Sequence, residues 1–335
     1  MKFFLTLVGA LSAVIASCLS SPLVLYGIER GNYINVTTSS GTVIKTFYTR
    51  ARSIKSLAIH SKQDLLFAAD DSKIIRLHLL DAKGKRKISG TGELFRNPKA
   101  NHFESQILEF SSYRISAAES SLLVDETANK LYIGARCFLY ELNLNGSGVR
   151  PVFTLRRDDC PNYSSKYFRH PSLYKGNFFF TIGLSAIYRA ILDGDTLVNI
   201  TNQNIVLYKD GIRDMAVDGK TGKLFYVNSN HQIQVVTQDE LLGVSTTTVQ
   251  TVLSNYRFTN EVKALAVIGR YMFWCSREKR EIYRGKLNED MNFLPTNDIH
   301  TIEREVKTKQ IVLYSSAVKR IPLNFLLFVL LVLIK

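Results

Sequence analysis

One weak unit recurs along this chain, whole in five places and split between the two ends in a sixth. Each copy passes from a short apolar strand, through a turn, into an aromatic-led strand, a tight loop and a third strand. The clearest copies run from Ile212 to Val235, Val262 to Leu287 and Ile54 to Leu77, and two more from Ser120 to Leu144 and Pro171 to Leu192. Units of a few strands repeating every ~40 to 55 residues stack radially, because one such sheet cannot bury both of its faces alone. The expected fold is therefore all-β, a β-propeller.

The ends fix the blade count. Pro22 to Val36 reads as the second and third strands of a blade whose first strand is missing, and Lys309 to Tyr314 resembles the opening strand of the other copies. A C-terminal strand that completes the N-terminal blade closes a ring of six and leaves no long exposed edge. Fourth strands are expected at Val43 to Phe47, Val152 to Leu155, Ile205 to Tyr208 and Thr247 to Leu253, in runs rich in β-branched and aromatic residues bounded by turn formers. Phe95 to Ala118 is longer than an ordinary connection and is expected to cross one face.

The second strands carry Phe67-Ala68-Ala69-Asp70, Tyr132-Ile133-Gly134-Ala135, Phe179-Phe180-Thr181-Ile182, Phe225-Tyr226-Val227-Asn228 and Phe273-Trp274-Cys275-Ser276. These resemble the Tyr-Trp-Thr-Asp signature of the low-density lipoprotein receptor class B repeat, with Ile187 to Arg189 and Ile282 to Arg284 similar to its third strand. The resemblance implies a non-enzymatic extracellular module that binds proteins on one face of the disc. The signature's closing Asp, which in that family ties neighbouring blades, stands here only as Asp70. Apolar packing is expected to do more of that work. Leu122 to Leu144 also looks like the opening blade of a semaphorin domain, but that architecture needs more chain than remains.

Residues 1–20 read as a secretory signal peptide, with Lys2, an apolar run from Phe3 to Ala16 and small residues after it. Residues 21–314 then hold the propeller, and 315–335 form a hydrophobic tail. Sequons at Asn35, Asn145, Asn162 and Asn199 fit glycosylated surface loops of an exported protein. Cys18 leaves with the signal; Cys137 and Cys160 fall in loop types that open on the same face and are expected to form a disulfide, stabilising by roughly 3 kcal/mol. Cys275, mid-strand beside Trp274, reads as a buried apolar thiol.

The tail, Ile321 to Ile334 as a helix, would span only about 21 Å, short of a ~30 Å hydrocarbon core. With Ser315, Ser316 and Ala317 before it, it matches a glycosylphosphatidylinositol attachment signal, the lipid joined near Ser315 or Ser316. A short transmembrane tail and a soluble product are the alternatives. All three place the chain outside the cytoplasm, secreted or on the outer cell surface.

Charge points to a site. The chain carries +14; removing Lys2, Lys319, Arg320 and Lys335 leaves +10. Aligning the units puts Lys55, Arg213, Lys263 and Lys309 at one position, immediately before the innermost strand, with His170 nearby in the fourth unit. That position lies at the lip of the central channel. Two readings stand: each base pairs with a neighbouring carboxylate such as Asp214 or Glu261 or is simply solvated, or the ring receives an extracellular protein or anionic glycan. Lys83 to Lys87 reads as an exposed turn, with an anionic-glycan or anionic-lipid contact as its functional alternative. Nucleic acid is not an expected partner of an exported chain.

Catalysis finds little support. No Gly-x-Ser-x-Gly elbow, His-Glu-x-x-His motif or phosphate loop occurs, and His60, His78, His102, His170, His231 and His300 fall at no ligand spacing. Basic residues stand where a channel metal would need carboxylates, so neither a metal nor a cofactor is expected. Asp125 and Asp218 read as turn formers. The alternative to a docking module is a secreted small-molecule carrier, or a propeller hydrolase or lyase, with the ligand in the channel.

Overall fold

The structure is a computed structural model that describes residues 22–28, 31–49, 53–70, 72–79, 104–109, 121–135, 138–154, 168–184, 186–193, 196–197, 205–208, 211–236 and 248–314. They form six antiparallel blades around a central channel. The innermost strands are Ile311–Tyr314, Ser56–His60, Ser121–Asp125, Phe168–Tyr174, Asp214–Val217 and Val262–Ile268. The ring closes as the sequence pattern predicts: Ile311–Tyr314 pairs with Leu23–Gly27, placing Leu25 opposite Val312.

Each second strand is buried on both faces, which is why it reads as an unbroken apolar run and not as an alternation. In Leu65–Ala69, Leu66 and Ala68 pack toward the first blade, and Leu65, Phe67 and Ala69 toward the third. The same arrangement repeats around the disc, so the core is a set of inter-blade layers. Trp274, fully buried between the fifth and sixth blades, also donates its indole N–H to the Phe258 carbonyl at 2.8 Å.

Outer strands at Val43–Tyr48, Arg150–Thr154, Ile205–Tyr208 and Val249–Leu253 match expectation. The Phe95 to Ala118 stretch contains a strand, Glu104–Glu109, that completes the second blade, so at least this part is not an excursion. His300–Glu303, which sequence reasoning missed, completes the sixth. Every pairing of a third with a fourth strand carries a register shift. Such bulges increase local twist, which bends the outer strand away from its neighbours. Among the described residues, helix is confined to single turns, and no helix is long and apolar enough to cross a membrane.

Polar groups join the blades beside the apolar layers. Asp70 closes its own turn, accepting from the Ser72 and Lys73 amides. Several inter-blade ties come from the inner strands. Gln310 Oε1 accepts from the Ser56 hydroxyl at 2.6 Å and the Leu57 amide at 2.7 Å, and Ser56 Oγ in turn accepts from the Leu122 amide at 2.8 Å. Asp214 Oδ2 accepts from the Leu265 amide at 2.6 Å, and Asp218 Oδ1 from the Gly269 amide at 2.8 Å. Asp125 is a turn former, taking the Thr127 and Ala128 amides; Asp218 holds the Thr221 amide as well as its neighbour's.

Candidate functional site

The inner strands enclose a channel of about 830 Å³. Lys55, His170, Arg213, Lys263 and Lys309, the five residues proposed from sequence, all line it, and all stand at the start of, or early in, the innermost strand of their blade. They share one mouth because all six innermost strands run in the same direction from that face. Arg169 and Arg277 join them. Arg169 precedes His170 in an irregular strand, and Arg277 follows the second strand of the sixth blade, so neither occupies the aligned position.

The bases are not evenly spread in their effects. Burial holds the Lys263 ammonium below the ordinary lysine value, reinforced by repulsion from Arg213, Arg277 and Arg169, with Glu261 offsetting part. His231, on the adjoining loop, is likewise held below the usual histidine value by burial and by Arg213 and Lys263. Its Nδ1 accepts from the Glu261 amide at 2.9 Å, which requires an unprotonated nitrogen there. Exposed Tyr256 meets the His231 ring edge to face at 5.5 Å.

Two irregularities of the inner ring fall at these residues. The first-to-second strand pairing shifts register between Arg169 and Ser172 and again between Val262 and Ala264, whereas the other four blades pair without a shift there. His170 takes a φ of 52° immediately before Pro171. A left-handed backbone at a non-glycine residue is uncommon, and proline narrows it further; such strain concentrates where side chains are aimed for a purpose.

The acids do not neutralise the ring in the way the pairing reading supposed. Asp214 is buried, with His170 Nδ1 at 2.5 Å from Oδ1, the Met215 amide at 2.8 Å and the Leu265 amide on the other oxygen. Its acceptor capacity is thereby committed to the fold and to His170. Among the described residues, Arg213, Lys263, Arg277 and Lys309 make no ion pair with Asp214 or Glu261. Among the described residues, the Nε2 of His170 and the Nε of Arg213 are buried with no hydrogen-bond partner.

Other proposed residues have structural duties or fall elsewhere. Asn228 closes a turn by accepting from the Gln232 amide. Asn145 is exposed between the third and fourth strands of the third blade, on the face opposite the bases, its oxygen holding the Ser147 amide and hydroxyl. Asn35 is half-buried in a third strand, its amide donating to the Tyr26 hydroxyl, and Thr37 of the same sequon is fully buried. Cys275 is buried, its thiol donating to the Val306 carbonyl at 4.0 Å. Asn162, Asn199, Cys137, Cys160, Lys83 to Lys87, Ser315, Ser316, the signal peptide and the tail lie outside the described residues. Among the described residues, no group of three or more His, Cys, Asp or Glu side chains is placed to hold a metal ion.

Fold and lining together define a six-bladed β-propeller with a cationic channel mouth. No protein-family model and no curated protein matches the sequence. Solved structures of the same fold include one titled as the nidogen/laminin complex, 12% identical over 88% of this chain and 99% of that one, with a TM-score of 0.61. The β-propeller domain of Cps50 (Swd1) from Myceliophteria thermophila is 9% identical over 88% of this chain and 87% of its own, with a TM-score of 0.54. A protein of unknown function from Bacteroides caccae is 12% identical over 88% and 99%, also with a TM-score of 0.54. At these identities the likeness is one of fold, and at least one of these propellers was solved in a protein complex.

Proposed function

We propose that this chain is a non-enzymatic extracellular binding module, of the low-density lipoprotein receptor class B type, that docks an acidic surface of a protein or an anionic glycan on the channel mouth. The observation that carries the reading is the cluster of Arg169, Arg213, Lys263 and Arg277, in which Lys263 is repelled by its neighbours while the adjacent carboxylate of Asp214 is committed to backbone amides and His170. Excess positive charge at a concave mouth favours anionic partners and accelerates their encounter. Exposed Tyr256 beside the cluster, and Tyr48 and Phe138 farther out at strand ends on the same face, provide the aromatic area that docking surfaces use.

The chain reaches the cell exterior through its signal peptide and is held there by a lipid joined near Ser315 or Ser316. Phosphatidylinositol-specific phospholipase C added to intact animal cells expressing the full chain releases it on this reading. Surface protein that resists release indicates a transmembrane tail, and protein found only in the medium indicates a soluble product. Docking is tested with a triple change of Lys55, Arg213 and Lys263 to Glu, measured against extracellular proteins and acidic glycans that bind the parent chain. Binding lost with the fold intact supports the basic mouth; binding retained removes it.

A second reading is favoured by the channel itself. A space of about 830 Å³ lined by converging polar groups falls in the size range of small-ligand pockets. A carrier would bind small acidic molecules with the same affinity whether or not a macromolecular partner is present.

A further inference from the structure

We propose that the channel mouth holds a tetrahedral oxyanion carrying two negative charges, of the phosphate or phosphate-monoester type, between Arg169, Arg213, Lys263 and Arg277. This deepens the docking reading by naming the anionic group, and it rests on that mouth being a binding site.

The first argument is charge balance. Three guanidinium groups act on one ammonium, with Glu261 the acid that offsets them. One carboxylate from a ligand would leave most of this repulsion in place. A dianion would remove the larger part of it with a single group.

The second argument is geometry of donors. Guanidinium groups present planar forks of N–H donors that pair with two oxygens at once, and several forks converging from different strands suit a tetrahedral acceptor. The Nε–H of Arg213 is buried, lines the channel and has no partner. His170 Nε2 is also buried and unpartnered, while its Nδ1 contacts Asp214. Buried donors in folded proteins are nearly always satisfied, so an unmet one beside a cavity marks a place for a ligand atom.

The third argument is backbone. The two register shifts of the inner ring fall at His170 and Lys263, in blades four and six on either side of Arg213. A bulge re-aims the side chain it carries. Two of them flanking one arginine bring residues of three blades to one spot. Arg277 reaches the same spot from a different strand of the sixth blade, so the site does not depend on the repeat's symmetry.

Inorganic phosphate, titrated into the full chain at constant ionic strength set with chloride, tests the proposal. A saturable rise of the unfolding midpoint with phosphate is expected, as for any ligand that binds the folded state alone. Equilibrium dialysis with labelled phosphate should give one site per chain, with pyrophosphate competing and acetate not. Arg213→Met with Lys263→Met should weaken phosphate at least tenfold, and Lys286→Met, on the opposite face, should not change it. If the double variant does not fold, the competition pattern on the parent chain still decides. Phenyl phosphate binding more tightly than phosphate would assign the site to a monoester on a larger ligand, and the reverse order to the free ion. No saturable binding, equal competition by acetate, or unchanged affinity in the folded double variant would overturn the proposal. Phosphate bound by the parent chain and lost in the Lys55, Arg213 and Lys263 to Glu protein, while that protein still docks its partner, would fault the docking reading alone. Docking lost in that triple variant, with phosphate never bound by the parent, would fault this inference alone.

Discussion

The two halves of the inner ring solve the same problem with different chemistry. Between the first and third blades, neutral groups tie one inner strand to the next: Gln310 to Ser56 and Leu57, then Ser56 to Leu122. Between the fifth and sixth, a buried carboxylate does so, with Asp214 holding Leu265 and, across to the fourth blade, His170. A neutral tie needs no counter-charge. A buried carboxylate is favourable only where donors surround it, and here they are the Met215 and Leu265 amides and the His170 ring. The charged half is thus built around a group whose removal should hurt more, and among the described residues it also carries the buried Arg213 Nε–H without a hydrogen-bond partner.

The comparison is broken most severely by Asp214→Ala. The change leaves two backbone amides without an acceptor and His170 without its partner, so a loss of about 3 to 5 kcal/mol is expected in denaturant unfolding. Ser56→Ala tests the neutral half: the buried Leu122 amide loses its acceptor, and about 2 kcal/mol should be lost without a change in the dependence on salt. If the two variants lose equal stability and respond equally to salt, the distinction between the halves fails.

Smaller effects sharpen the contrast. Lys263→Met relieves repulsion and should stabilise the unliganded fold by less than about 1 kcal/mol, since water screens the open side of the mouth. Lys263 binds its proton less tightly folded than unfolded. Between its lowered folded value and the ordinary 10.5 the unfolded chain holds more protons, so stability rises with pH across that alkaline window. The Met variant should lack this rise.

His231 gives the smallest effect. Its folded value lies below the ordinary 6.5, so the unfolded chain takes up the proton first as pH falls through that value, and stability declines. His231→Gln keeps an acceptor within reach of the Glu261 amide and should flatten the decline, read as the unfolding midpoint between neutral and mildly acidic pH. A decline of unchanged slope would place the titrating group elsewhere.

Much of the fold was legible in the sequence because the signals are local. A second strand buried on both faces reads as an apolar run, as in Leu65–Ala69, and turn residues mark its ends. Ring closure was legible because Ile311–Tyr314 carries the same pattern as the other inner strands. His300–Glu303 was not, since its two exposed and two part- or fully buried positions resemble a loop until the third strand pairs with it.

The site divides in the same way. The repeat by itself determined that Lys55, Arg213, Lys263 and Lys309 share a position, because residues at equal places in repeated units come to equal places in a ring. Only the tertiary structure decided that Arg169 belongs with them and that Asp214 is committed to Leu265 and His170. It also placed the two strand irregularities at His170 and Lys263. Those outcomes depend on which blade lies beside which and on how each inner strand departs from its ideal register. Neither is encoded in any one repeat: both are set by packing between residues some fifty positions apart, such as Asp214 and Leu265.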